Sequence, residues 1–157
     1  MVGNTFIDIG CNDGYFAIPA AQIVGDTGKI YGVDIDNDAI NRLLEKAQKL
    51  HLNNIYAKVG KGESTLFCTG CADFVFLGTV LHDFQDPHLV LKNTYEALLS
   101  GGKLVNLDWK KKKGEIGPPF EKRFSEETAR SLMSQAGFKN IVIEEYSSDF
   151  YLIIATK

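Results

Sequence analysis

Residues 5–16, Thr-Phe-Ile-Asp-Ile-Gly-Cys-Asn-Asp-Gly-Tyr-Phe, constrain this chain more than any other stretch. An apolar strand runs into a glycine-bracketed turn and then into an apolar helical run. Few folds admit that order, because a glycine loop between strand and helix brings backbone next to a ligand. Gly10 and Gly14 bracket three residues, and Asp8, Asn12 and Asp13 stand close by. Carboxylates beside such a loop select the sign of what it can hold.

The rest of the chain alternates strand-like and helix-like stretches. Residues 15–24 read as a mostly buried helix, with Pro19 acceptable only near its first turn. Gly25-Asp26-Thr27-Gly28 is a turn, and Lys29 to Ile35 a second strand. Asp36 or Asn37 caps a helix whose Ile40, Leu43, Leu44, Ala47 and Leu50 follow helical spacing. A short third strand lies near Ile55–Val59, then a loop over 60–71, and a fully apolar fourth strand over 73–78. A helix over about 87–99 is expected to end at Gly101-Gly102, before a fifth strand over 103–109. After a long loop, Ser125 caps a helix with Glu126 and Glu127 in its first turn. Ala129, Leu132, Met133 and Ala136 are its buried face, and Gly137 ends it. Two strands, about 140–146 and 149–156, close the chain across Ser147-Ser148.

Continuous apolar strands alternating with helices predict an α/β fold with a parallel sheet covered on both faces. The last two strands, joined by a tight turn, must run antiparallel. The expectation is one Rossmann-like domain over 1–157, with seven strands, mostly parallel, and the last antiparallel. A chain of 157 residues buries one core, and no repeat or linker divides it.

The net charge of −3 argues against a general nucleic-acid binder, which would carry a basic stripe. No apolar run reaches a membrane span and no signal peptide is recognisable, so a cytoplasmic setting is expected. The three cysteines, Cys11, Cys68 and Cys71, show no disulfide-framework spacing, which agrees with a reducing compartment. Cys68-x-x-Cys71 lacks the second pair or the spaced histidine of a zinc site, and no metal is expected. A redox or soft-ligand role for that pair stays open.

A dinucleotide site wants G-x-G-x-x-G, with the pyrophosphate against the helix start. Position 12 is Asn where the second glycine belongs, and Asp13 would face a pyrophosphate at a cost of order kcal/mol. The same carboxylates suit a cation such as S-adenosylmethionine, which carries a sulfonium and an ammonium and no phosphate.

Here the chain resembles a known family. Asp8-Ile-Gly-Cys-Asn-Asp-Gly14 looks like the first motif of class I S-adenosylmethionine-dependent methyltransferases. Gly32-Val-Asp-Ile-Asp36 resembles the end of their second strand, where the first acid, Asp34, would accept from the ribose hydroxyls. Asp73 to Asp83 is similar to their fourth-strand motif, Leu98 to Val105 to the segment entering strand five, and Ala136-Gly-Phe138 also fits. Asp108-Trp109-Lys110, Gly117-Pro118-Pro119 and Arg123 look like small prokaryotic relatives of the quinone-biosynthesis methyltransferases.

The resemblance implies methyl transfer by in-line displacement to a small-molecule acceptor. Non-catalytic donor binding and NAD-linked oxidoreduction are the alternatives. It also implies a donor site at Asp8, Gly10, Cys11, Asn12, Gly14, Tyr15, Asp34, Ile35, Gly62, Glu63, Gly78, Thr79 and Val80. Two departures stand out. Lys61 occupies the slot where an acid commonly meets the adenine amino group, leaving that contact to Glu63 or a backbone carbonyl. The chain also starts almost on its first strand, so the helices that cover the donor in many relatives are not expected. An open site, or one closed by a second copy or a partner subunit, follows.

Several candidates carry a plain structural reading beside the functional one. Asp8 either holds the loop's amides or meets the ligand. Tyr15 lies over the methionine end or packs in the core, and Asp36 is a cap. His82, just past strand four, is a candidate general base, or simply a surface histidine at a helix start. Asp108 and Trp109 would line the acceptor side. Lys110–Lys113 is a solvated loop or an anchor for an anionic acceptor. Adenine-N6 chemistry is disfavoured, because Gly78-Thr-Val-Leu81 stands where an Asn/Asp-Pro-Pro motif would be.

Overall fold

Alternation in the buried strands decides how this chain layers. The computed structural model describes all 157 residues. β1 (Thr5–Ile9), β2 (Lys29–Asp34), β3 (Ile55–Val59) and β4 (Ala72–Gly78) are joined to the later β5 (Leu98–Trp109), β6 (Lys139–Glu145) and β7 (Phe150–Thr156) in one seven-stranded sheet. Its order is β3-β2-β1-β4-β5-β7-β6, with β7 antiparallel to both neighbours and every other pairing parallel. The helices are α1 (Ala17–Val24), α2 (Asn37–Lys49), α3 (Pro87–Ala97) and α4 (Glu126–Gln135), with a 3₁₀ turn at Leu81–Asp83.

Alternate strand residues point to opposite faces, and the core divides accordingly. Ile30 packs with Ala17, Ala21, Ile40 and Leu43 of α1 and α2. Ile7, Ile9 and Val33 pack in the larger cluster with Val90 and Leu91 of α3 and Ala129 and Met133 of α4. The chain thus winds outward from β1 over one face and then from β4 over the other. Between β1 and β4 the direction of winding reverses, and ligand sites of open α/β sheets lie at that point, beyond the strands' carboxyl ends.

The caps form where expected. Asp36 accepts from the amides of Asp38 and Ala39, and Ser125 from that of Thr128. The stop at Gly101-Gly102 does not. α3 ends at Ala97 and β5 begins at once, with both glycines inside the strand. A Cβ on Gly102 would lie 2.9 Å from the Leu99 carbonyl and 3.0 Å from that of Ala72, so the glycine allows both a local bend and close passage beside β4, where the ladder shifts register. No helix is long and apolar enough to cross a membrane.

Candidate functional site

The glycine loop is shaped by what crosses it. Gly10 takes φ +79°, and its amide and that of Cys11 donate to the Val33 carbonyl at 2.8 and 3.1 Å, folding the loop over the end of β2. A Cβ on Gly10 would sit 2.8 Å from Val80. Gly14, at φ +93°, lies against Leu43 and Ile18, so a side chain there would push α2 off the loop. Gly14→Ala is therefore expected to cost about 1–3 kcal/mol of unfolding free energy. An unchanged urea midpoint would mean that α2 shifts freely.

A cleft of about 570 Å³ opens at the carboxyl edge of β1, β2 and β4, within the size range of cofactor sites. Gly10, Cys11, Asn12 and Tyr15 line it from the glycine loop, and Asp34 and Ile35 from the end of β2. Gly62 and Glu63 face it from the β3–β4 loop, and Gly78, Thr79 and Val80 from the end of β4. Thr79 holds a left-handed φ of +55°, rare for a β-branched residue, with its amide on the Leu107 carbonyl at 2.6 Å. Strain of this kind persists where surroundings over-determine it, commonly at ligand sites. Tyr15 is 77% exposed, so it stands at the rim and not in the core.

Asp34 fits a diol. Its Oδ2 accepts from the Asn12 amide at 2.8 Å and its Oδ1 from the Asp36 amide at 3.0 Å. Each carboxylate oxygen accepts twice, so one lone pair on each stays free to accept from paired hydroxyls in the cleft.

Two expected donor residues do not line the cleft. Asp8 is 1% exposed beneath the loop, and its Oδ2 has no hydrogen-bond partner. Burial, and secondly the charge of Asp34, push its carboxyl up to about 7. Gly14 faces α2 instead. Asp13, central to the charge argument from sequence, makes an ion pair with Lys46 at 2.7 Å. That hydrogen bond holds its carboxyl below the usual range. The acids on the wall are Asp34, Glu63 and Asp83, against Lys61. The cleft is negative as expected, but through different residues, and a pyrophosphate remains disfavoured there.

Sequence reasoning missed Phe16, Val33, Phe84 and Gln85 on the wall. Phe16 and Phe84 adjoin recognised motifs, which is the one signal that could have flagged them. Glu63 is tied down, its Oε1 accepting from the Gln85 amide at 3.1 Å and its carbonyl from Asn93 at 2.6 Å. Burial and the neighbouring Asp8 and Asp34 push the Cys11 thiol up, so it stays protonated.

His82 and Asp108 are brought together. His82 Nδ1 lies 2.7 Å from Asp108 Oδ1, with side chains 3% and 1% exposed. This histidine is buried, against the surface reading. The other ring nitrogen faces Asp83 Oδ2 at 3.5 Å, and Asp83 bonds Lys122 at 3.2 Å. Burial pulls the imidazole pKa down, but Asp108, by hydrogen bond and charge, and Asp83 outweigh it, and the net direction is up. Neither His82 nor Asp108 lines the cleft itself; Asp83 does.

At the carboxyl end of β5, Trp109 packs against Phe150 at 4.3 Å, with the Arg123 guanidinium over its ring at 5.3 Å. Arg123 is buried and donates to the carbonyls of Lys110, Lys112, Ile116 and Pro118, holding the β5–α4 loop in place. In the lysine run, Lys110 and Lys112 are paired with Glu145 and Asp149. No group of three or more His, Cys, Asp or Glu is arranged to hold a metal.

Residues 2–129 match a family described as "Methyltransferase domain". The chain belongs to this methyltransferase family. Demethylmenaquinone methyltransferase of Oceanobacillus iheyensis is 29% identical over 108 residues, 69% of this chain and 45% of that protein. A Saccharolobus solfataricus protein named "Probable cobalt-precorrin-6B C(15)-methyltransferase (decarboxylating)" is 30% identical over 105 residues, 66% of this chain and 51% of that one. The chain spans about half the length of these relatives. Among solved structures, a SAM-dependent methyltransferase from Aquifex aeolicus superposes with a TM-score of 0.91 at 25% identity, covering 99% of this chain and 82% of that one. Phosphoethanolamine N-methyltransferase 2 of Haemonchus contortus, crystallised with S-adenosyl-L-methionine, shares the fold at a TM-score of 0.84 and 17% identity, over 99% of this chain and 49% of its own. The family is S-adenosylmethionine-dependent, and the cleft suits that donor.

Proposed function

We propose that this chain methylates a small-molecule acceptor from S-adenosylmethionine held in the cleft, with His82 taking the proton the acceptor gives up. The observation that carries the reading is the meeting of a negative, glycine-walled cleft with a buried His82–Asp108 pair directly behind Asp83 on its wall. Bound there, the donor supplies a methyl carbon already activated by its sulfonium. What remains for the chain is to align, exclude water and move one proton.

Asp34 receives the ribose hydroxyls, and the loop backbone at Gly10 to Asn12 lies along the donor. Gly78, Thr79 and Val80 meet its methionine end. Asp108 fixes the His82 tautomer by holding the Nδ1 proton, which leaves the other nitrogen as acceptor. Asp83, drawn toward Lys122, stands between that nitrogen and the cleft and guides the proton inward. In this account Asp108 is a positioning residue. The cytoplasmic setting expected from sequence belongs to the same reading, as does closure of the cleft by a second copy or partner subunit.

Lys61 on the wall favours one other reading, a donor-binding module without turnover. Calorimetry with S-adenosylmethionine and S-adenosylhomocysteine, followed by assay for S-adenosylhomocysteine release over a panel of acceptors, separates the two. Binding with release supports transfer; binding without release on any acceptor supports the module. Tight binding of NAD in place of both would overturn the donor assignment.

Replacing Asp34 with Ala is expected to weaken S-adenosylhomocysteine binding by roughly 1–3 kcal/mol, the range for losing an acceptor to a buried donor. An unaltered Kd would remove Asp34 from the site.

A further inference from the structure

Residues 60–71 join β3 to β4, and their first part, Gly60 to Glu63, lines the cleft. Little secures the stretch beyond it. Residues 65–69 neither give nor receive a backbone hydrogen bond; Phe67 and Cys68 pack against the core, and two specific features add to that packing. One is Phe67, stacked on Tyr31 at 5.1 Å with the Lys58 ammonium 4.6 Å from its ring. The other is a covalent link, because Cys68 and Cys71 are joined as a disulfide. The spacing predicts no disulfide framework and leaves a redox role for Cys68 and Cys71 open; the structure links that pair, and Cys11 is free and buried.

The two ends of the link differ. Gly70 and Cys71 donate their amides to the Glu96 and Ala97 carbonyls at 2.9 Å each, so this end is fixed to the carboxyl terminus of α3. Cys68 has no such anchor. The disulfide therefore ties a segment without backbone bonds to a fixed point, a few residues downstream of the cleft wall. Both sulfurs belong to half-buried residues, with exposed Thr69 and Gly70 between them, so an attacking thiol can reach the link. The helix carboxyl end beside Cys71 is the negative end of the dipole and opposes a thiolate. A pair whose reduced form gains no thiolate stabilisation favours the disulfide.

We propose that Cys68 and Cys71 form a thiol–disulfide exchange site whose state sets the order of the β3–β4 loop, and thereby the affinity of the cleft for its donor. The proposal rests on the donor reading of that cleft. In the reducing direction a dithiol attacks one sulfur, forms a mixed disulfide and is released as its own disulfide. Two electrons and two protons pass to Cys68 and Cys71. The reverse uses a small-molecule disulfide such as oxidised glutathione and returns two thiols. Neither step involves buried Cys11.

The linked loop is already ordered, so donor binding to it spends less conformational entropy than binding to the reduced form. Reduced protein is expected to bind S-adenosylhomocysteine about threefold to tenfold more weakly, a fraction of what a short cross-link contributes, because Glu63 on the wall is also held by Gln85 and Asn93. The test equilibrates the full chain in glutathione buffers of stepped ratio. Alkylation and mass spectrometry then count thiols, and calorimetry with S-adenosylhomocysteine is run on the fully oxidised and fully reduced samples. A transition of two thiols mapping to Cys68 and Cys71, with tighter binding in the oxidised sample, supports the proposal. Cys68→Ser with Cys71→Ser should match the reduced protein in both buffers. Free thiols throughout, or equal affinity of the two states, would overturn it. Absence of binding in both states would instead count against the donor reading.

Discussion

His82→Gln is expected to lower kcat by about 10²- to 10⁴-fold, the range contributed by a positioned general base, or roughly 3–5 kcal/mol of barrier. Gln keeps a side-chain amide to donate to Asp108, so the buried carboxylate retains a partner and the fold should survive, which a thermal melt checks. The readout is S-adenosylhomocysteine release on any acceptor that turns over with the parent. A base must start unprotonated, and Asp108 and Asp83 hold the imidazole proton more firmly than in a free histidine. The activity of the parent should therefore rise with pH along a limb centred above the ordinary histidine value of about 6.5. Asp108→Asn should move that limb down in pH and lower kcat, because an amide neither attracts the imidazolium nor enforces the tautomer. Unchanged turnover in both variants would show that the acceptor needs no base. A fall in kcat with an unmoved limb would reduce Asp108 to a structural role.

The second large effect concerns stability and comes from Asp8. In the unfolded chain this carboxyl titrates near its ordinary value of 3.8, and in the fold near about 7. The folded state thus holds the proton longer. Below about pH 4 both states are protonated and Asp8 has no influence. Between about pH 4 and 7 only the unfolded state gives the proton up, so stability falls as pH rises, by about 4 kcal/mol over the window. Above about pH 7 both states are ionised and the dependence ends. Asp8→Asn has no proton to lose, so the gap in unfolding free energy between variant and parent should change by about 4 kcal/mol across the window. Urea unfolding at steps from about pH 3.5 to 7.5 measures this directly. A constant gap would mean that Asp8 is ionised throughout, satisfied by contacts its orphaned Oδ2 does not now make.

Asp8 and Asp13 also show where sequence reading reached a sound conclusion by an incomplete route. Their charges argued for a cationic ligand, yet one lies under the loop and the other is neutralised by Lys46 on α2. Thirty-three residues separate Asp13 from that lysine, and no local pattern announces the pairing. The cleft is negative because Asp34 and Glu63 arrive there from different segments against Lys61, with Asp83 beside them paired to Lys122. His82 and Asp108 make the same point. Each was a plausible candidate at a strand end, but they stand 26 positions apart, and only the parallel pairing of β4 with β5 sets one beside the other.

Local chemistry was legible. The 5–16 stretch had to become a strand and a loop leading into α1, because its apolar run buries on a sheet and its glycines adopt backbone that other residues resist. Asp36 and Ser125 had to cap, since their side chains satisfy amides a few residues away. Gly101-Gly102 misled because a glycine pair signals both a helix stop and a close approach, and the neighbour it approaches, Ala72, is remote in sequence. The sequence by itself determined the layers, the placement of the glycine loop and the position of Asp34 at the end of β2, all set by periodicity and contacts within a few residues. Tertiary structure decided which charges reach the cleft, that His82 has a buried partner and that Cys68 meets Cys71, because each depends on the direction a side chain takes once distant strands are in register.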